Sequence, residues 1–273
     1  VKSVSWSRRP VQHGWFSNGR QTAFFKEVFL MAQIATQTIS LNVSDGTSMN
    51  AFVARPEGKG KHPGMLVFQE AFGVNGHIRD VCGRIAAEGF VALAAELYHR
   101  TAPGFEGRYD DLEPAIAQAR ALTEAGLEAD VRAAHQALVA DPGVDGGRIV
   151  SIGFCMGGRV SFLADAVLPL KASISFYGGG IAPSQMGPDL LGRAMDLHGP
   201  ILLFWGGRDK HIGVEQPRAV ADALRAAGKT YVNVEFSDAD HGFFCDARSS
   251  YHPGAAAQGW ALSLAFLKER LGA

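Results

Sequence analysis

Apolar and polar residues alternate from Gln37 to Val43 and again from Ser48 to Ala54, on either side of Ser44-Asp45-Gly46. Alternation of period two around a turn signal predicts a β-hairpin with one covered face. The next apolar run, Gly64-Met65-Leu66-Val67-Phe68, does not alternate, as expected of a strand buried on both faces of a parallel sheet. Beyond a loop with Gly73 and Gly76, residues Ile78, Val81, Cys82, Ile85 and Ala86 recur at helical spacing up to Gly89, and Phe90 to Ala95 is the next buried strand.

Residues 99–110 hold Pro, Gly and charges, a loop long enough to border a site. Helices are expected over Asp111 to Ala125 and Glu128 to Val139, a strand over Arg148 to Ile152, and a further helix up to Ala166. Strands follow at Ala172 to Phe176, Ile201 to Trp205 and Val232 to Phe236, with a Gly- and Pro-rich loop and a helix at Glu215 to Ala227 between them. An amphipathic helix over Ala255 to Leu271 closes the chain. Strands alternating with helices in this way predict an α/β fold with a mostly parallel central sheet covered on both faces.

A chain of 273 residues accommodates one such domain over 31–273, with residues 1–30 as an N-terminal extension. That stretch is rich in Arg, Ser, Gly and Gln and lacks periodicity, and regular alternation begins just after Met31. Met31 is therefore a candidate start, and a short targeting or dimer-contact arm is the alternative. Lys and Arg number 26 against 27 Asp and Glu, which argues against a nucleic-acid or anionic-membrane partner and for a small-molecule substrate. Cys82, Cys155 and Cys245 are odd in number and lack metal-type spacing, so a reducing, cytoplasmic setting and no metal are expected. No apolar run reaches the roughly 18 residues of a membrane span. Monomer and homodimer both remain open.

The candidate chemistry begins at Gly153-Phe154-Cys155-Met156-Gly157-Gly158, at a predicted strand-to-helix junction. There a nucleophile elbow presents its side chain on a sharp turn, and the helix N-terminus favours a thiolate. A buried structural cysteine is the alternative. Downstream, Asp209 and His241 each follow a predicted strand, in the order nucleophile, acid, histidine of α/β-hydrolases. His241 would take or hold the proton of Cys155, and Asp209 would orient the imidazole. The backbone N–H groups of Met156 and Ala71 are the expected oxyanion donors. Glu70 closes a buried strand, where a charge needs a partner or a role; an ion pair with Arg79 or Arg84 is the structural alternative. Phe72, Tyr98, Tyr177, Trp205 and Phe243 are candidate pocket residues near strand ends.

These segments resemble the dienelactone hydrolases (carboxymethylenebutenolidases). The likeness rests on Gln69-Glu70-Ala71-Phe72-Gly73-Val74-Asn75 with His77-Ile78-Arg79, on Glu88-Gly89-Phe90-Val91-Ala92 leading to Leu97-Tyr98, on the Cys155 elbow, and on Asp209 and His241-Gly242-Phe243. It runs from about Ile39 to Leu271. The resemblance implies the α/β-hydrolase fold and a Cys-His-Asp triad, and a glutamate at the Glu70 position that helps form the thiolate when substrate displaces it from its resting partner. It implies opening of an enol-lactone through an acyl-enzyme, without metal or organic cofactor, in the breakdown of aromatic compounds. The chain departs from the family where substrate is recognised: Cys245 stands where an arginine binds the lactone carboxylate, and the region after Pro103-Gly104 that carries a second arginine is shortened. Arg108 is a candidate replacement for the second if the loop folds differently, and Arg248 is a candidate cation from the histidine loop, with a solvent-exposed arginine as its alternative. A general carboxylesterase or thioesterase on the same scaffold is the second functional expectation, and a non-catalytic binding protein on a hydrolase scaffold the third.

Overall fold

The computed structural model describes residues 34–58, 60–184 and 189–272. The chain divides into units at 1–31 and 32–273, and the expected extension over 1–30 lies outside the described residues. The hairpin expected from the alternation is β1 (Ile34–Asn42) paired antiparallel with β2 (Ser48–Pro56). The unalternating runs form β3 (His62–Phe68), β4 (Val91–Ala95), β5 (Val144–Phe154), β6 (Ser173–Phe176) and β7 (Ile201–Gly206), and β8 (Tyr231–Phe236) is the far edge. The eight strands lie in the order β1-β2-β4-β3-β5-β6-β7-β8, and β2 alone runs against the others.

The helices are α1 (Gly76–Ala87), α2 (Glu113–Ala121), α3 (Glu124–Ala140), α4 (Met156–Val167), α5 (Glu215–Ala226) and α6 (Pro253–Leu271). Asn75 begins α1 by accepting from the Ile78 amide, and Thr123 begins α3 by accepting from the Gly126 amide, two side-chain N-caps. Neighbouring side chains of β5 point to opposite layers. Ser151 meets Ser161 of α4, while Ile152 shares its surroundings with Ile85 of α1 and Trp260 of α6. Leu66, Val67, Val150, Ile174 and Leu203, at no more than 1% exposed, form the middle of the core.

Two differences from the expected elements have local causes. Strand β5 starts at Val144 because Val144 and Asp145 pair with His62 and Pro63 across a register shift, which Gly146-Gly147 obscures in the sequence. The Gly- and Pro-rich loop contains a 3-10 helix at Leu191–Asp196, too short for a periodic signature. Because six consecutive strands are parallel, the loops after Phe68, Ala95, Phe154, Phe176, Gly206 and Phe236 all leave from one edge. In open α/β sheets that carboxyl edge is where sites form.

Candidate active site

The turn after β5 is enforced by close backbone approach. A Cβ on Gly153 would overlap the Gly157 carbonyl, and one on Gly157 would overlap the carbonyls of Phe68 and Gln69 at the end of β3. Cys155, between them, has φ 55 and ψ −121, a region that L-residues avoid. The strain turns its side chain out of the strand and starts α4 at the next residue. Since α4 begins against the end of β3, the Met156 and Ala71 amides come from adjoining segments.

The structure brings Cys155, His241 and Asp209 together. The sulfur lies 3.1 Å from Nε2 of His241, and Nδ1 lies 2.7 Å from Oδ2 of Asp209. The other carboxylate oxygen, Oδ1, accepts from the His211 and Ile212 amides at 2.8 and 3.0 Å, so Asp209 is fixed by its own loop. Burial alone would lower the His241 pKa, but the facing sulfur and the Asp209 carboxylate outweigh it and raise the pKa to about 10. Asp209 is held below the usual carboxylate range: burial would raise it, and the His241 contact and the two amides prevail.

Glu70 is 1% exposed and pairs with neither Arg79 nor Arg84. Arg79 holds Glu106 at 2.7 Å, and Arg84 lies over the rings of Phe244 and Trp260. Its partner is Arg248, whose Nη1 is 3.1 Å from Oε1, and the Tyr177 hydroxyl donates to the same oxygen at 3.4 Å. Oε2 has no hydrogen-bond partner among the described residues. Arg248 reaches inward across Gly242, at φ 76, where a side chain would collide with the guanidinium.

The aromatic candidates separate. Phe72 lies under the Arg248 guanidinium, 5.6 Å from ring to Cζ, and meets Tyr109 edge-on at 4.5 Å. Tyr98 donates to the Ala71 carbonyl at 3.1 Å and thereby braces the expected oxyanion loop. Tyr177, strained at φ 39, sets its ring 5.1 Å from that of His241. Trp205 borders a surface hollow with Asp209, Ile212 and Pro217, behind the carboxylate. Two candidates are not brought to the site. Phe243 is fully buried behind Tyr177 among Phe176 and Phe236, because the residue after Gly242 turns into the core. Arg108 is 77% exposed and bonded to Asp110, because the two residues close a local ion pair on the loop surface.

Sequence reasoning missed Tyr109, whose hydroxyl meets Asn75 and the Cys245 sulfur at 2.9 and 3.3 Å, and His211, whose ring is 5.2 Å from that of His241. The long loop pointed to the first only as a region. His211, two residues after Asp209, carried no signal beyond proximity.

The order of strands, the turn at β5 and the acid and histidine on later strand ends define an α/β-hydrolase. The profile of the dienelactone hydrolase family matches residues 49–271. A protein of Synechocystis sp. with the name "Putative carboxymethylenebutenolidase" is 37% identical over 77% of this chain and 87% of its own length. One of the same name from Escherichia coli is 36% identical over 83% of this chain and 84% of its own. The crystal structure named "Putative Dienelactone Hydrolase" from Klebsiella pneumoniae superposes with a TM-score of 0.80 at 35% identity, covering 87% of this chain and 99% of that one. The chain belongs to the dienelactone hydrolase family and is a hydrolase acting on ester or lactone bonds. Among the described residues no helix is long and apolar enough to cross a membrane.

Two outcomes follow from this geometry. Gly157→Ala, which pushes α4 off the end of β3, should lower stability by about 1–3 kcal/mol in urea unfolding and reduce ester turnover more than that loss accounts for. A histidine whose folded-state pKa is raised contributes stability that is complete below its unfolded value of about 6.5 and disappears as pH rises through about 10. The stability advantage of the wild type over His241→Gln should therefore shrink between pH 6.5 and 10 in urea titrations, and a constant difference would contradict the assignment.

Proposed function

We propose that this protein opens an enol-lactone or cleaves a small carboxylic ester with Cys155 as nucleophile, His241 as general base and acid, and Asp209 as the group that orients the imidazole. The supporting observation is the relay in which sulfur and carboxylate flank one imidazole, at 3.1 and 2.7 Å. With Nδ1 committed to Asp209, only Nε2 is available to exchange a proton with sulfur and then with the leaving oxygen.

In this reading the Cys155 thiolate attacks the carbonyl carbon, and the carbonyl oxygen takes up the electron pair between the Ala71 and Met156 amides. Collapse breaks the bond to the leaving oxygen, which receives the Nε2 proton of His241, and leaves a thioester on sulfur. In a lactone the leaving oxygen stays tethered to the acyl group. His241 then accepts a proton from water, the hydroxide adds to the thioester, and the second collapse expels the thiolate and yields the acid. No step calls for a cofactor.

Glu70 adds a control on substrate. It is bound at rest by Arg248 and Tyr177, and a substrate carboxylate that takes Arg248 releases the Glu70 carboxylate beside the sulfur, where it favours loss of the thiol proton. Arg248 thus stands in, from three residues further along the loop, for the arginine that Cys245 replaces. This favours an ester or lactone that bears an acid group. The general carboxylesterase is the second reading, supported by the outward position of Arg108, which leaves Arg248 as the inward-facing cation of the two candidates.

Cys155→Ala should abolish turnover of both an enol-lactone acid and a neutral acyclic ester while the protein still unfolds in one cooperative urea transition. Arg248→Lys keeps a charge opposite Glu70 but loses the planar fork, so it should raise KM for the acid-bearing lactone about tenfold and leave that for the neutral ester unchanged. An equal effect on both substrates would favour the general carboxylesterase.

A further inference from the structure

His77 is the second residue of α1, and Cys245 and Asp246 lie in the loop that follows His241. The fold brings one imidazole nitrogen, one sulfur and one carboxylate oxygen from them to within 4.8 Å of one another. We propose that His77, Cys245 and Asp246 bind a thiophilic divalent cation of the Zn2+ class.

The imidazole provides the first argument. Its side chain is 3% exposed, yet neither ring nitrogen makes a hydrogen bond among the described residues, and Nε2 is fully buried without a partner. Nδ1 stands 3.7 Å from Oδ1 of Asp246, beyond hydrogen-bond reach. On other sides it meets the rings of Phe154 and Phe244, each 6.3 Å away, which offer no acceptor. Nδ1, the nitrogen that faces Asp246, would gain a partner by coordinating the cation.

The other two ligands have suitable freedom. Asp246 is 71% exposed and has no second ion pair among the described residues, so its carboxylate can swing inward. Cys245 is buried against the Tyr109 hydroxyl, 3.3 Å from its sulfur. On binding a cation the thiol proton is released to solvent and the sulfur binds as thiolate. Tetrahedral coordination asks for ligand separations of about 3.3–3.6 Å, a modest closure of the present spacing. One sulfur, one nitrogen and one oxygen with water in the fourth position suit zinc better than magnesium or calcium. The cation would tie the first turn of α1 to the histidine loop, in which the Cys245 amide donates to Gly242 and the Arg248 amide to Cys245, at 3.0 and 3.1 Å.

Since Cys155, His241 and Asp209 offer the same three donor types, the test uses the full chain carrying Cys155→Ala. Titration with Co2+ should give a saturable thiolate-to-cobalt absorption at one equivalent, displaced by Zn2+. The band should vanish in Cys155→Ala/Cys245→Ala. In Cys155→Ala/Asp246→Asn, altered at a solvent-exposed position, affinity should fall about tenfold or more. The proposal is overturned if Cys155→Ala shows no thiolate band, if the band survives loss of Cys245, or if Asp246→Asn binds as tightly as its parent.

Discussion

The site depends on one backbone constraint, the left-handed conformation of Cys155 between two glycines that have no room for a side chain. Strand β5 could continue, or α4 could start elsewhere, only by giving up the contact of Gly157 with the end of β3. That contact aims the sulfur outward at the carboxyl edge of the sheet. It also sets the first amide of α4 beside the loop that carries Ala71. The local strain costs about 1–3 kcal/mol, offset by the packing of β5 and α4 in the core.

Charge in the site follows from burial. Asp209 is anchored by two backbone amides and can give its second oxygen wholly to His241, so the imidazole points one nitrogen at the sulfur. Glu70 is buried as deeply but answers to Arg248 instead. The two carboxylates are therefore held differently: Asp209 through the loop backbone, Glu70 by the long side chain of Arg248. Breaking such a buried pair by removing one partner costs about 3–5 kcal/mol, which holds Glu70 in place.

The fold was legible because its strands are either alternating or wholly apolar, and each ends in a loop with Gly or a charged residue. The meeting of Cys155, His241 and Asp209 was legible for a related reason: in a parallel sheet, residues just after strand ends are neighbours whatever their separation in sequence. Side-chain direction was not. Phe243 and His241 are two residues apart, yet one faces the core and the other the sulfur, a difference set by the positive φ of Gly242. Arg108 and Arg248 are alike in sequence, and only the folded loops show that one closes on Asp110 while the other crosses Gly242 to Glu70. The partner of Glu70 was hidden because it lies at the far end of the chain, whereas Arg79 and Arg84 were merely near.

Peptide mapping after acid quench during turnover of an activated acetyl ester tests the central claim most directly, since it asks where the acyl group resides. The account predicts one acetyl group on the peptide carrying Cys155, present in wild type and absent in Cys155→Ala. An acetyl group on a serine or another cysteine under the same quench, with Cys155 unmodified, would contradict it.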